Sequence, residues 1–173
     1  TTGDRIQNHL LAELGGKGLF TKELDDAMLR NEIDIAIHSM KDVPTFMPEK
    51  IALHAIMARE DARDALISSK AASLKDLTPG STVGTASLRR KSQILIYRPD
   101  LQIVPLRGNV DTRLKKIREG RVDATLLAYA GLKRLGKIQT VTELIDTTVI
   151  LPAVGQGALA ATCLENDPQI NAV

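Results

Sequence analysis

Apolar and polar positions alternate most regularly along Ile33-Asp34-Ile35-Ala36-Ile37. A period of two predicts a strand whose buried face carries Ile33, Ile35 and Ile37. The strand runs into His38-Ser39-Met40-Lys41-Asp42, and Pro44 bars helical continuation through Val43. Upstream, Ile6, Leu10, Leu11 and Leu14 recur at helical spacing over residues 5–14, as far as Gly15-Gly16. Thr21 is placed to cap a second helix reaching about Arg30, with Leu24, Ala27 and Met28 on its apolar side. Residues 51–58 read as another strand, and the polar run over residues 59–64 marks a domain boundary.

Beyond it the pattern changes to short strands alternating with helices of about ten residues. Residues 65–68 and 82–85 are strands, Ala86-Ser87 a turn, and Leu88–Tyr97 a helix stopped by Pro99. Residues 101–106 form a strand, and Arg107-Gly108-Asn109 turns into a helix that buries Val110, Leu114 and Ile117 and ends near Gly120. A strand over 122–128 and a helix over 129–135, closed by Gly136, complete an α/β domain with a largely parallel sheet. A last strand is expected at 147–151, with Pro152 marking a second crossing and residues 154–160 starting an element of the first lobe. Crossings near 60 and 150 predict two α/β lobes joined by a double crossing, with a cleft between them. The first lobe then comprises residues 1–60 in part and the return segment 151–173, and the second comprises residues 61–150.

Composition narrows this reading without changing it. Hydrophobic residues make up 43% and charged residues 25%, an ordinary globular balance that argues against disorder. Aromatics are only 2%, with no Trp, so the core must be aliphatic and a base-stacking nucleic-acid binder is disfavoured. At a net charge of +2, the placement of basic residues matters more than their total. Cys163 is the single cysteine, which excludes an internal disulfide and makes a reducing compartment the default; a buried structural thiol is expected there. No apolar run approaches the ~20 residues of a membrane span, and no basic-then-apolar leader is seen. His9 and His54 show no metal-ligand pattern, so no metal is expected.

The candidate chemistry falls at strand C-terminal ends, where α/β folds place ligands. Ser39, Lys41 and Asp42 put a hydroxyl, an ammonium and a carboxylate within four residues, enough to hold an anion and handle a proton. The alternative is a charged surface loop. Ser87 stands where a helix N-cap belongs, so Arg89 and Arg90 fall in the first turn, each unfavourable there by about 0.3–1 kcal/mol if exposed. Arg113 repeats that choice in the next helix, after Arg107. With the hydroxyls of Thr85 and Ser87 and exposed backbone N–H groups, these guanidiniums form an anion site suited to several carboxylates or a phosphate. Otherwise the arginines are solvated or paired with Asp100, Asp111 and Glu119. Nucleic acid is a poor partner at this charge and without a recognised motif.

With these residues assembled, the chain resembles the porphobilinogen deaminase (hydroxymethylbilane synthase) family. The matching blocks are Gly16-Lys17-Gly18-Leu19-Phe20-Thr21-Lys22-Glu23-Leu24, His38-Ser39-Met40-Lys41-Asp42-Val43-Pro44 and Val83-Gly84-Thr85-Ala86-Ser87-Leu88-Arg89-Arg90. Further on stand Leu106-Arg107-Gly108-Asn109-Val110-Asp111-Thr112-Arg113-Leu114, Ala130-Gly131-Leu132-Lys133-Arg134-Leu135-Gly136 and Pro152-Ala153-Val154-Gly155-Gln156-Gly157-Ala158. The resemblance implies lobes like those of type II periplasmic binding proteins. It also implies a cytoplasmic or plastid-stromal monomer, off the membrane, that joins four porphobilinogens head to tail with release of ammonia. By the same resemblance Asp42 is the catalytic carboxylate. Ser39, Lys41, Thr85, Ser87, Arg89, Arg90, Arg107 and Arg113 bind a covalent dipyrromethane cofactor, and Lys17, Arg134 and Gln156 bind substrate.

The family pattern also has a strand before Thr1 and a third domain, with the cofactor-bearing cysteine, after Val173. The expectation is therefore of an incomplete first lobe and an attachment cysteine outside this chain, so that these 173 residues alone have no turnover. A periplasmic-type carboxylate-binding module is the alternative on architecture, although Asp42 is not needed for binding alone. The effector domain of a transcription regulator shares the architecture too, but no helix-turn-helix segment accompanies it.

Overall fold

A computed structural model describes residues 21–168 and residue 170. The helix expected over 5–14, the glycine-rich segment before Thr21 and Lys17 lie outside the described residues. The chain divides into two compact units, one taking in residues up to Glu60 and from Ala158 onward, the other Asp61–Gly157. The second unit thus runs past residue 150, because Gln156 is buried in it against Ala62 and Asp64.

In the first unit, helix α1 (Lys22–Leu29) begins with Glu23 and Asp25 in its first turn, which suits the positive end of the dipole. It closes on Asn31 at φ 56°, with Asn31 N–H donating to Met28 O and Glu32 N–H to Ala27 O. Thr21 occupies the N-cap position but makes no capping bond with its side chain. A three-stranded sheet has β8 (Leu159–Leu164) between β1 (Ile35–Ser39) and β2 (Ile51–Ile56), antiparallel to both.

The buried face of β1 is the reverse of the expected one. Ala36 and His38 are buried, whereas Ile35 and Ile37 are 46% and 49% exposed. Met28 of α1 packs with Ala36 and Ile51, and Thr162 of β8 stands opposite Ala36. The small Ala36 side chain leaves room there for Met28. A period of two defines two faces, but the side on which the helix packs selects the buried one.

The second unit holds a five-stranded sheet in the order β5-β4-β6-β3-β7. Its strands are β3 (Asp64–Ser68), β4 (Thr82–Gly84), β5 (Gln102–Val104), β6 (Ala124–Ala128) and β7 (Glu143–Leu144). β4 runs parallel to β5 and β6, while β3 runs antiparallel to β6 and β7. Only β3 therefore departs from the expected parallel sheet. Helices α2 (Leu88–Tyr97) and α3 (Val110–Arg118) supply the crossovers that parallel neighbours require, and β3 precedes both.

Alternate residues of β3 and β6 enter cores on opposite faces of this sheet. Leu66 and Leu126 pack with Ile94 of α2, whereas Ala65, Ile67 and Leu127 pack with Leu114 and Ile117 of α3 and Leu132 of α4 (Tyr129–Arg134). Both faces are covered, so these strands read as continuous apolar runs. The strand expected at 147–151 does not form. Asp146 Oδ1 accepts from the backbone N–H and hydroxyl of Thr148, and Asp146 O accepts from Val149 and Ile150 N–H, which winds the segment into a turn.

Asp123, just before β6, accepts from Lys70 Nζ at 2.5 Å and from the backbone N–H and hydroxyl of Thr82 at 2.7 and 2.9 Å. The bond from Lys70 and then that from Thr82 N–H hold its pKa down, at about 2 against an ordinary 3.8. A carboxyl depressed in the folded state stabilises the fold above its unfolded pKa, and that contribution disappears as pH falls through the folded value. Between about pH 4 and pH 2 we expect a loss of ~1–2 kcal/mol from this group, allowing for its partial contact with water. Urea midpoints measured across that range should fall less steeply in Asp123→Asn; equal slopes would rule the contribution out.

Candidate active site

In the first unit the end of β1 turns into a single 3-10 turn, Met40–Asp42. Met40 N–H donates to Ala158 O at 3.0 Å and Val43 N–H to Met40 O at 3.3 Å. The buried side chain of Val43 anchors the exit, and Pro44 follows. Ser39, Lys41 and Asp42, all half-buried, thereby occupy one tight turn. Beneath it His38 Nε2 lies 3.0 Å from Thr162 Oγ1, both groups buried. Burial pushes the carboxyl of Asp25 up, against the opposing bond from Thr21 and the charge of His38. Cys163 is buried in β8, and burial raises its thiol pKa, with Asp167 adding to the shift; it is an inert thiol rather than a nucleophile.

The second unit builds its site where β4 and β5 end. Gly84 closes β4 against Leu106: a Cβ there would lie 2.8 Å from Leu106 Cβ, so only glycine permits this approach without displacement. Thr85 Oγ1 accepts from Ser87 N–H at 3.1 Å, and Ser87 Oγ caps α2 by accepting from Arg90 N–H at 3.4 Å. Asn109 caps α3 through Thr112 N–H at 2.9 Å. These caps aim the first turns of both helices, and so their arginines, beyond the strand ends.

One buried carboxylate organises those arginines. Asp64 Oδ1 accepts from Arg90 Nη2 at 2.7 Å and from Gln156 Nε2 at 2.9 Å. Asp64 Oδ2 accepts from Arg89 Nη2 at 2.7 Å and from Arg90 Nε at 3.1 Å. Arg89 Nη1 also donates to Leu151 O at 2.5 Å. Burial pushes the Asp64 carboxyl up, but the bond and charge of Arg90 and the charge of Arg89 outweigh it and hold the group below the ordinary range.

Arg113 is the contrasting case. Its Nε donates to Gly108 O at 2.7 Å, and among the described residues no carboxylate pairs with it. Burial, and then the charge of nearby Arg90, lower its pKa. The carboxylates that could have paired with the arginines are engaged elsewhere: Asp100 with Arg98, Asp111 with Lys137, and Glu119 with Lys115 and Arg121. Arg107, half-buried, accepts at its carbonyl from Lys116 Nζ, and Arg134 donates to Gly157 O at 2.7 Å from an exposed position. Thr85, Ser87, Arg89, Arg90 and Arg113 are thus assembled at one sheet end, whereas Gln156 reaches them through Asp64.

Sequence reasoning missed Asp64. Its one local signal is a carboxylate placed directly before the apolar run Ala65-Leu66-Ile67, hence at the mouth of a buried strand. Among the described residues no group of three or more His, Cys, Asp and Glu is placed to hold a metal ion, and no helix is long and apolar enough to cross a membrane.

The fold is an α/β fold similar to that of type II periplasmic binding proteins, and its second unit carries a guanidinium cluster at the strand ends. Solved structures similar to it include an ABC transporter periplasmic substrate-binding protein from Coxiella burnetii, with a TM-score of 0.53 at 14% identity, covering 86% of this chain and 72% of that one. Another is the periplasmic VFT2 domain of BvgS from Bordetella pertussis, with a TM-score of 0.50 at 13% identity, covering 88% and 63%.

The chain belongs to the porphobilinogen deaminase family. The family model described as "Porphobilinogen deaminase, dipyromethane cofactor binding domain" matches residues 1–172. A porphobilinogen deaminase of Nitrobacter hamburgensis is 56% identical over 172 residues, 99% of this chain and 54% of the relative. A relative from Oryza sativa subsp. japonica, named as chloroplastic, is 57% identical over 167 residues, 96% of this chain and 47% of its own length. The chain therefore spans about half the length of the curated relatives it matches.

Proposed function

We propose that the full-length protein is a transferase that joins four porphobilinogen molecules head to tail, releasing ammonia, to make hydroxymethylbilane for tetrapyrrole synthesis. The observation that carries this reading is a single family match, over residues 1–172, that includes both the Asp42 turn and the guanidinium cluster. Arg113 fits the same reading, because a half-buried cation beside Arg90, without an acidic partner among the described residues, calls for an anionic ligand. Arg89, Arg90, Arg107 and Arg113, with Thr85 and Ser87, would hold carboxylate side chains of a dipyrromethane group and of substrate, and Ser39 and Lys41 are further candidate contacts to that group. When bound, that group supplies the pyrrole end to which the product is attached.

Asp42 accepts hydrogen bonds from pyrrole N–H groups, supplies a proton to the departing amine, and stabilises with its charge the cation that develops as the carbon–nitrogen bond breaks. Arg134 and Lys17 take substrate carboxylates, and Gln156 contributes through the network it holds with Asp64. The test is an assay of the full-length protein with porphobilinogen, together with its intact mass. Ammonia release, formation of a linear tetrapyrrole and a mass excess of two pyrrole units are expected. A protein of unmodified mass that releases no ammonia would exclude the proposal.

A further inference from the structure

We infer that Asp64 is a positioning residue, which sets the orientation and effective charge of the arginine pair at the head of α2. The inference rests on the proposed reading of that cluster as a carboxylate site. Asp64 is fully buried and meets three side chains from two distant segments, Arg89 and Arg90 on α2 and Gln156 near the end of the unit.

The two arginines are held differently. Arg90 presents Nε and Nη2 to both carboxylate oxygens, a fork-on-fork pairing, and its side chain is 8% exposed. Arg89 gives only Nη2 to Asp64, and its side chain is 25% exposed. Arg90 is therefore the more tightly braced of the two, and Arg89, held by one nitrogen on Asp64 and the other on Leu151 O, is the more accessible to a ligand. One carboxylate balances one of two guanidiniums, so the pair keeps a net positive charge for a ligand. A long flexible side chain fixed in advance loses less rotamer freedom when it binds. Asp64 touches no ligand in this account; it acts through Arg89.

The decisive experiment is a double-mutant cycle in the full-length protein, using Asp64→Asn, Arg89→Gln and the pair. If the wild-type protein releases ammonia from porphobilinogen, the readout is KM against kcat. Asp64→Asn is expected to raise KM about tenfold while kcat changes less than about threefold, and adding it to Arg89→Gln should raise KM by less than about twofold more. If the wild type releases no ammonia, the proposed function fails. Titration calorimetry with benzene-1,2,4,5-tetracarboxylate then decides on Asp64 by the same non-additivity in Kd.

Should Asp64→Asn not fold, Asp64→Glu serves, because it keeps the charge and displaces it by one methylene; the same weakening is expected. Losses that multiply in the double variant, wild-type KM or Kd in Asp64→Glu or Asp64→Asn, or a wild-type protein that uses neither probe would each overturn the inference. A merely structural role for Asp64 predicts multiplied effects.

Discussion

Asp42→Asn in the full-length protein is expected, under the proposed function, to lower kcat for bilane formation by about 10²–10³-fold, with KM changed less than about threefold. Asn keeps the size of the side chain and an oxygen that accepts from a pyrrole N–H, so the ground state is still held. It lacks the charge that opposes the developing cation and the proton that the departing amine needs. Transition-state stabilisation is lost while ground-state binding is kept, and that difference appears in kcat. The fold should tolerate the change within about 1 kcal/mol, since the turn is anchored by Met40 N–H on Ala158 O and by buried Val43. Steady-state kinetics beside a thermal melt check both parts. A kcat within threefold of wild type would remove Asp42 from the chemistry and leave a binding module as the better account.

For Arg113→Leu, ligand binding and stability are expected to move apart. Binding of benzene-1,2,4,5-tetracarboxylate or porphobilinogen should weaken about 10–100-fold, the magnitude of a lost charge-assisted pair. Stability should hold or rise by up to ~1–2 kcal/mol, because a cation that burial and Arg90 both disfavour is replaced by an apolar side chain. Arg90→Leu is the control, with a loss of about 3–5 kcal/mol as Asp64 is left buried and under-paired. Calorimetric titration and denaturant midpoints on both variants make the comparison. A clear destabilisation by Arg113→Leu would show that Arg113 holds the fold together rather than awaiting a ligand.

The contrast between these arginines explains why a helix begins with cations where anions are favoured. At α2 the unfavourable placement is offset by Asp64, so Arg89 and Arg90 are held in place without a ligand. At α3 it is not offset for Arg113 by any acid among the described residues, although Asp111 stands in the same first turn. A site built in this way is partly neutralised and rigid at one helix and frustrated at the next.

Much of this was legible along the chain because its causes are short-ranged. Ser87 and Pro99 bound α2 as a cap and a stop, Asn109 caps α3, and the alternation of short strands with helices specifies a parallel sheet joined by crossovers. Residues Ser39, Lys41 and Asp42 are close neighbours in the chain at a strand end, and Pro44 bars helical continuation through Val43. The aliphatic core follows from composition, and the guanidinium cluster from arginines placed where an isolated helix would reject them.

Other features depended on which distant segment arrives at a given face. The pattern Ile33-Asp34-Ile35-Ala36-Ile37 has two sides, and the packing of Met28 made Ala36, not Ile35 or Ile37, the buried one. β3 was free to run against β6 because no crossover helix constrains it. The carboxylate that pairs with Arg89 and Arg90 came from Asp64 rather than from the nearer Asp100. The sequence by itself determined most of the elements, the candidate turn and the excess of cations at the strand ends, because propensity, capping and periodicity act over a few residues. Only the tertiary structure decided which charges are neutralised and which remain available, because a buried ion pair is chosen by the packing that brings its partners together.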